Sequence, residues 1–246
     1  MYTMAGLLAG LKTDVKVEEE TDSLGGRQLV DTDAYPCVVS MMYLGESKGG
    51  ARNVTIIAKT EAGVEIKEVV YFTSGTAKGC KTTYEKGGKH FALPGFNIVS
   101  AIVGLAAGIE LSDCTTESRI VKVYDGEQQK EVEKEVDCIV EMFDAEITFG
   151  IEKQIVDKTK KNESTGAYDA TGETREQNEI VKIFRTEDGL TMVEAMAGAE
   201  KAEFMDKWIE KNKGNVRNKA KGIVAGGTAG APGAAAAPAK KLFGKK

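Results

Sequence analysis

"NVTIIAKTEAGVEIKEVVYFTSGTAKGCKTTYEKGGKHFALPGFNIVSAIVGLAAG", residues 53–108, holds three kinds of backbone in succession. Its first part places β-branched residues on either side of "TEAG", turn chemistry that predicts strands at 53–59 and 64–72. Its last part predicts a helix. Pro94 opens it, Phe96, Val99, Ile102, Val103 and Ala106 fall on one face, and Gly108 closes it. Between them, Tyr71 to Phe96 is rich in Gly, Lys and Thr, as a phosphate-holding loop would be. A P-loop, however, needs G-x-x-x-x-G-K-[ST] between a strand and a helix. From Gly75 the second glycine arrives one residue early, at Gly79, and Cys80 separates it from Lys81 and Thr82. The stretch reads instead as a basic β-hairpin arm turning at Gly87-Gly88, with Lys78, Lys81, Lys86 and Lys89 against one acid, Glu85.

Further strands are predicted at 36–44, 118–125, within 135–156 as a pair, and at 178–186, with a dense polar loop at 172–179. Thr191 and Glu194 have capping-box spacing and open an amphipathic helix through Trp208 that stops near Gly214. Its apolar stripe is Val193, Met196, Ala197, Phe204, Trp208 and Ile209. The sum is a mainly β fold with α: a closed or half-closed β-barrel of OB-like Greek-key type, with one inserted helix and a C-terminal helix. A β-sandwich is the competing architecture. A doubly wound α/β sheet is not expected, because strands and helices do not alternate. Residues 1–34 read as a flexible N-terminal arm, 35–213 as the OB-like domain, and 214–246 as a disordered basic Gly/Ala/Pro-rich tail ending in "KKLFGKK".

The chain of 246 residues is 41% apolar but contains no apolar run near 18 residues, which argues against a membrane span. "MYTMAGLLAGLK" has no basic n-region and is followed by "EEE", which argues against a signal peptide. Cys37, Cys80, Cys114 and Cys138 form no C-x-x-C pair, and His90 is the single histidine, so neither a zinc site nor a nucleophilic triad has its ligands. No cofactor and no catalysis are expected. Net charge is −5 but unevenly spread: residues 211–246 carry +9 and the first 210 carry −14. A polyanion would have to be held by local stripes and by the tail.

Period-two counting supplies such stripes. In 64–72, Val64, Ile66, Val70 and Phe72 share one face and Lys67, Val69 and Tyr71 the other. In 118–125, Val121 and Val123 oppose Ile120, Lys122 and Tyr124. In 178–186, Val181 and Ile183 point inward, with Lys182 and Phe184 outward and Arg185 close by. Three strands thus set an aromatic ring beside a lysine, the pattern on which single-stranded bases stack while lysines hold phosphates. "KQIVDKTKKN" adds Lys153, Lys158, Lys160 and Lys161. The DNA-contacting set is these groups with the arm's Lys78, Lys81, Tyr84, Lys86 and Lys89.

"KGCKTTYEKGGKHFALPGFNIVSAIVGLAAGIEL", "RIVKVYDGEQQKEV" and "GETREQNEIVKIFRTEDGLTMVEA…FMDKWIEKNKG" together resemble a group of bacteriophage single-stranded DNA-binding proteins, over roughly residues 36–214. The resemblance implies an OB-type core that coats unwound DNA during phage replication, recombination and repair in the host cytoplasm, without a membrane. It leaves open assembly of copies along DNA. Many single-strand binders end in an acidic tail that recruits replication partners, whereas this chain ends in basic "KKLFGKK". The tail could hold DNA itself, or dock a replication or recombination protein through Leu242 and Phe243. Two other classes remain open: a phage structural or assembly protein, and an accessory subunit of a polymerase or recombinase.

Overall fold

The computed structural model describes residues 28–125, 130–162, 164 and 167–222. The fold is mainly β, built on one curved sheet of eight strands with a separate two-stranded hairpin. The strands β1 (Asp33–Glu46), β2 (Arg52–Thr60) and β3 (Glu65–Tyr71) form an antiparallel meander. The hairpin β4 (Thr83–Lys86) and β5 (Lys89–Ala92) follows, then α1 (Pro94–Ala107). Next come the hairpin β6 (Thr116–Asp125) and β7 (Lys130–Ile139), and two strands of 17 residues each, β8 (Ala145–Lys161) and β9 (Tyr168–Phe184). The short helices α2 (Met192–Met196) and α3 (Phe204–Asn212) precede β10 (Val216–Asn218).

β2 occupies one edge of β1 from Cys37 to Glu46. On the other edge, β8 pairs with Asp33–Val39, and β7 meets Tyr43 through Cys138. The change of partner falls where the β1–β2 register shifts, between Val39 and Met41. Bulges of this kind bend a strand and raise its local twist. The main core lies inside the curve: Val54, Ile56 and Ala58 of β2 face Ile147, Phe149 and Ile151 of β8, and α1 covers them with Val99, Ile102, Val103 and Leu105. Gly95 admits α1 to this position, since a Cβ there would stand 2.0 Å from the Tyr71 carbonyl oxygen.

The strand β9 pairs with β8, giving the order β9-β8-β1-β2-β3. The expected barrel does not close. No ladder joins β3 to β9 among the described residues; the Glu68 carboxylate of β3 instead accepts the Ile180 N–H at 2.7 Å.

Four expectations are corrected. The polar stretch 172–179 is strand, not loop; before Asn178 the β8–β9 pair is a ribbon with little packed against it and so shows no apolar period. The helix foreseen from Thr191 through Trp208 is two helices. Gly198, at φ 68°, lies just beyond α2, and Glu194 joins the pieces. Its carboxylate completes the capping box with Thr191 and also accepts the Glu203 and Phe204 N–H groups, each at 2.9 Å. Consequently Val193 and Met196 face solvent rather than the core.

The last two corrections concern the ends of the domain. Residues 214–222 are not free tail: β10 adds parallel to Lys153–Ile155 of β8. Residues 28–34, read as arm, are also attached, since Asn178 exchanges hydrogen bonds with the Val30 backbone at 2.7 and 2.9 Å. The rest of the arm and tail, 1–27 and 223–246, lies outside the described residues.

Backbone hydrogen bonds, first from Thr191, hold the Glu194 pKa down at about 2 against an ordinary 4.5. A carboxyl depressed on folding stabilises the native state above its unfolded pKa and loses that contribution as pH falls through the folded value. The α2–α3 joint is therefore expected to loosen between about pH 5 and pH 2. Amide exchange at Glu203 and Phe204, compared at pH 6 and pH 3 after correction for intrinsic rates, measures this, and E194Q is expected to abolish the difference.

Candidate nucleic-acid interface

The outer face of the sheet is where the three aromatic–lysine stripes were expected, and its fate differs strand by strand. Over β8 and β9 it is covered by α3. Trp208 packs on Phe184 with ring centroids 6.0 Å apart, and Phe184 is fully buried. Gly150 makes room for them: a Cβ there would come within 3.1 Å of the Phe184 ring and 3.3 Å of the Trp208 ring. The expected outward stacking role of Phe184 is thus overturned. The strand has a core on each side here, α1 beyond Ile183 and α3 beyond Phe184. Lys182 lies with its ammonium 5.2 Å from the Phe204 ring, and the Arg185 guanidinium donates to Asp188 at 3.0 Å.

Over β1 and β2 the outer face is covered by the β6–β7 hairpin. Tyr43, Val136 and Cys138 form a second, smaller core, joined by Met41, Ile57, Val121, Val123 and Phe143. Val121 and Val123 therefore point inward, while Ile120 and Lys122 are exposed. Sequence period alone could not show what stands opposite them. Ile120 pairs with Glu135, Lys122 with Glu133 and Tyr124 with Glu131, so acids fill the cross-strand positions. That setting opposes a polyanion. The Tyr124 side chain lies outside those described.

Over β3 the outer face is open. Lys67, Val69 and Tyr71 form its column, with Ile57, Thr55 and Asn53 in register beside them, and Tyr71 is 48% exposed. The chain leaves this column directly into the arm, whose root is anchored. Thr76 N–H donates to Gly49 O at 2.8 Å, Ser74 N–H to Lys81 O at 2.8 Å and Leu93 N–H to Thr82 O at 2.8 Å. A single 3-10 turn holds Lys78, ended by Gly79 in the left-handed region. No helix follows this turn, as a P-loop would need; the next element is β4.

The arm turns at Gly87-Gly88 as read from sequence, and its register shows a further residue. Tyr84 pairs with Phe91 and Lys86 with Lys89, so all four side chains share one face. The two rings stand 5.7 Å apart, tilted by 30°, and each is 43% exposed. The charge pattern of the arm gives no sign of Phe91, which joins this face only through cross-strand pairing. Neither lysine makes an ion pair with a described residue.

The β8 lysines form a separate group. Lys153 bridges Glu176 at 3.4 Å and Asp31 at 3.5 Å, and Glu176 leads in pushing its pKa up. Lys158 pairs with Glu173 at 2.8 Å. Lys160 and Lys161 lie at the ribbon's far end, where Lys161 stands opposite the exposed Tyr168, a second aromatic that sequence reading missed. The tail root is occupied too. Lys213 pairs with Asp33 at 2.7 Å, Arg217 with the buried Glu152 at 3.3 Å, and Lys219 with Glu179. Part of the +9 thus neutralises the body.

Among the described residues no three or more His, Cys, Asp or Glu side chains gather as a metal site, and no helix is long and apolar enough to cross a membrane. Burial pushes the Cys37 thiol up to about 12, far from the thiolate a nucleophile needs.

F184A is expected to cost about 3–5 kcal/mol of stability, as aromatic truncations in cores do, measured by denaturant unfolding. Deleting 223–246 is expected to leave the melting temperature unchanged. Deleting 215–246 is expected to lower it, because β10 and the Arg217 partner of Glu152 go together.

No family model, curated relative or solved structure matches this chain.

Proposed function

We propose that this protein is a non-enzymatic single-stranded DNA-binding protein of OB type, serving phage replication and recombination as the sequence resemblance implies. The observation that carries the reading is the arm. Its hairpin has no core of its own; two aromatic rings and two lysines share one exposed face, and a two-stranded hairpin gains little stability from such an arrangement. Rings for bases beside ammonium groups for phosphates are the chemistry of sequence-tolerant single-strand binding.

The connection of the strands supports the OB reading. β1, β2 and β3 form a meander, α1 follows the third strand, and β8 and β9 return beside β1, as in a five-stranded Greek-key barrel. Glu68 and the Ile180 N–H bridge the seam at which β3 and β9 would close such a barrel. Oligonucleotides bind OB folds on the face of the second and third strands and on the loop between the fourth and fifth. Here those are the outer face of β3, open beside the covered β2, with Lys67 and Tyr71, and the β8–β9 ribbon with Lys160, Lys161 and Tyr168. In this reading the strand crosses β3 and the arm folds over it. Lys122, Tyr124, Lys182, Phe184 and Arg185 take no part.

A titration with labelled oligo-dT at two salt concentrations tests the reading. Binding is expected at low salt, with Y84A and F91A each weakening it by about 1–3 kcal/mol and leaving the melting temperature unchanged. Replacing Lys86 and Lys89 by Ala is expected to flatten the log–log salt slope by about 0.7 per lost phosphate contact. No binding at low salt would remove the proposal, and binding confined to duplex would redirect it.

A further inference from the structure

The helix α2 turns one side to the core and the other to open solvent. Met192 and Ala195 pack against the main core, whereas Val193 is 78% and Met196 79% exposed. Phe204, also exposed, begins α3, and the Glu194 carboxylate ties its backbone to α2 at 2.9 Å. Three large apolar side chains are therefore exposed on the two helices that Glu194 joins. Clustered apolar exposure of this kind marks a contact surface rather than the scattered exposure normal on any protein. Of the cations nearby, Lys182 lies on the Phe204 ring and Lys207 pairs with Glu203.

We propose that this joint is covered by residues 1–11 of the same chain, "MYTMAGLLAGL". Met4, Leu7, Leu8 and Leu11 recur at intervals of three and four, and no charged side chain occurs before Lys12. Such spacing sets apolar side chains on one stripe that can lie along an apolar groove. The described chain also enters close by. Gly214 N–H, just beyond α3, donates to Thr32 O at 2.8 Å, and Lys213 pairs with Asp33. Phe204 stands at the opposite end of α3, a helix of nine residues and so about 14 Å long. Residues 12–27 can span up to about 50 Å when extended, which more than covers the return path.

Amide hydrogen exchange on the intact chain tests this without DNA and stands apart from the proposed function. Removing residues 1–11, or introducing L8D, is expected to speed exchange across 193–205 by about tenfold while β1 and β2 stay unchanged. V193D, at a solvent-facing position, is expected to produce the reciprocal change in residues 4–11. Exchange at the joint that is the same with and without residues 1–11 would overturn the proposal. So would protection that survives their removal and grows with protein concentration, which would assign the joint to a second copy.

Discussion

The strand β1 gives one edge to two different partners, and the layout of the outer surface follows from that. Its first half holds β8 and its second half meets β7, with the bulge between Val39 and Met41 at the change. β7 and β8 are therefore successive pieces of one path along β1, joined by a 3-10 turn at Val140–Met142 and by Asp144 in the left-handed region. Because β7 ends there, the β6–β7 hairpin is set over the outer face of β1 and β2. Because β8 begins there, β9 is carried to the far edge, where α3 seats Trp208 on Phe184. Two covers leave one opening, along β3.

That opening gives the arm its significance. A hairpin rooted anywhere else on the outer surface would face Trp208 and its helix, or the acidic side of β6–β7. Rooted at the end of β3, it continues the exposed column of Val69 and Tyr71. Charge divides in the same way: the carboxylates Asp33, Glu152 and Glu179 are matched by Lys213, Arg217 and Lys219 at the β10 seam. Lys86 and Lys89 of the arm make no ion pair with a described residue.

Local signals in the sequence carried far. Pro94 and Gly108 bound α1 as read, Gly87-Gly88 turns the arm, and the inward and outward phases of β3 and β6 hold. Each depends on a short-range preference: a proline start, a glycine stop, or alternation against one core. Phe184 failed because alternation assumes a single buried face, and the second came from a helix 20 residues farther on. The segment 172–179 failed for the opposite reason, since a ribbon exposed on both faces leaves no hydrophobic period to read. The division of the last helix turned on Glu194 serving two N-termini, a contact that a capping box predicts only in half. Phe91 and Tyr168 needed cross-strand register, which a single strand does not contain.

In the proposed function an open strip, β3 with the arm, meets the single strand, while the covered faces do not. Ultraviolet cross-linking of oligo-dT followed by mapping of the linked residues tests it most directly. Adducts are expected at Tyr71, Tyr84 and Phe91, and none at Trp208 or Phe184. Adducts concentrated on Trp208, or on β6 and β7, with Tyr84 and Phe91 unmodified, would contradict it.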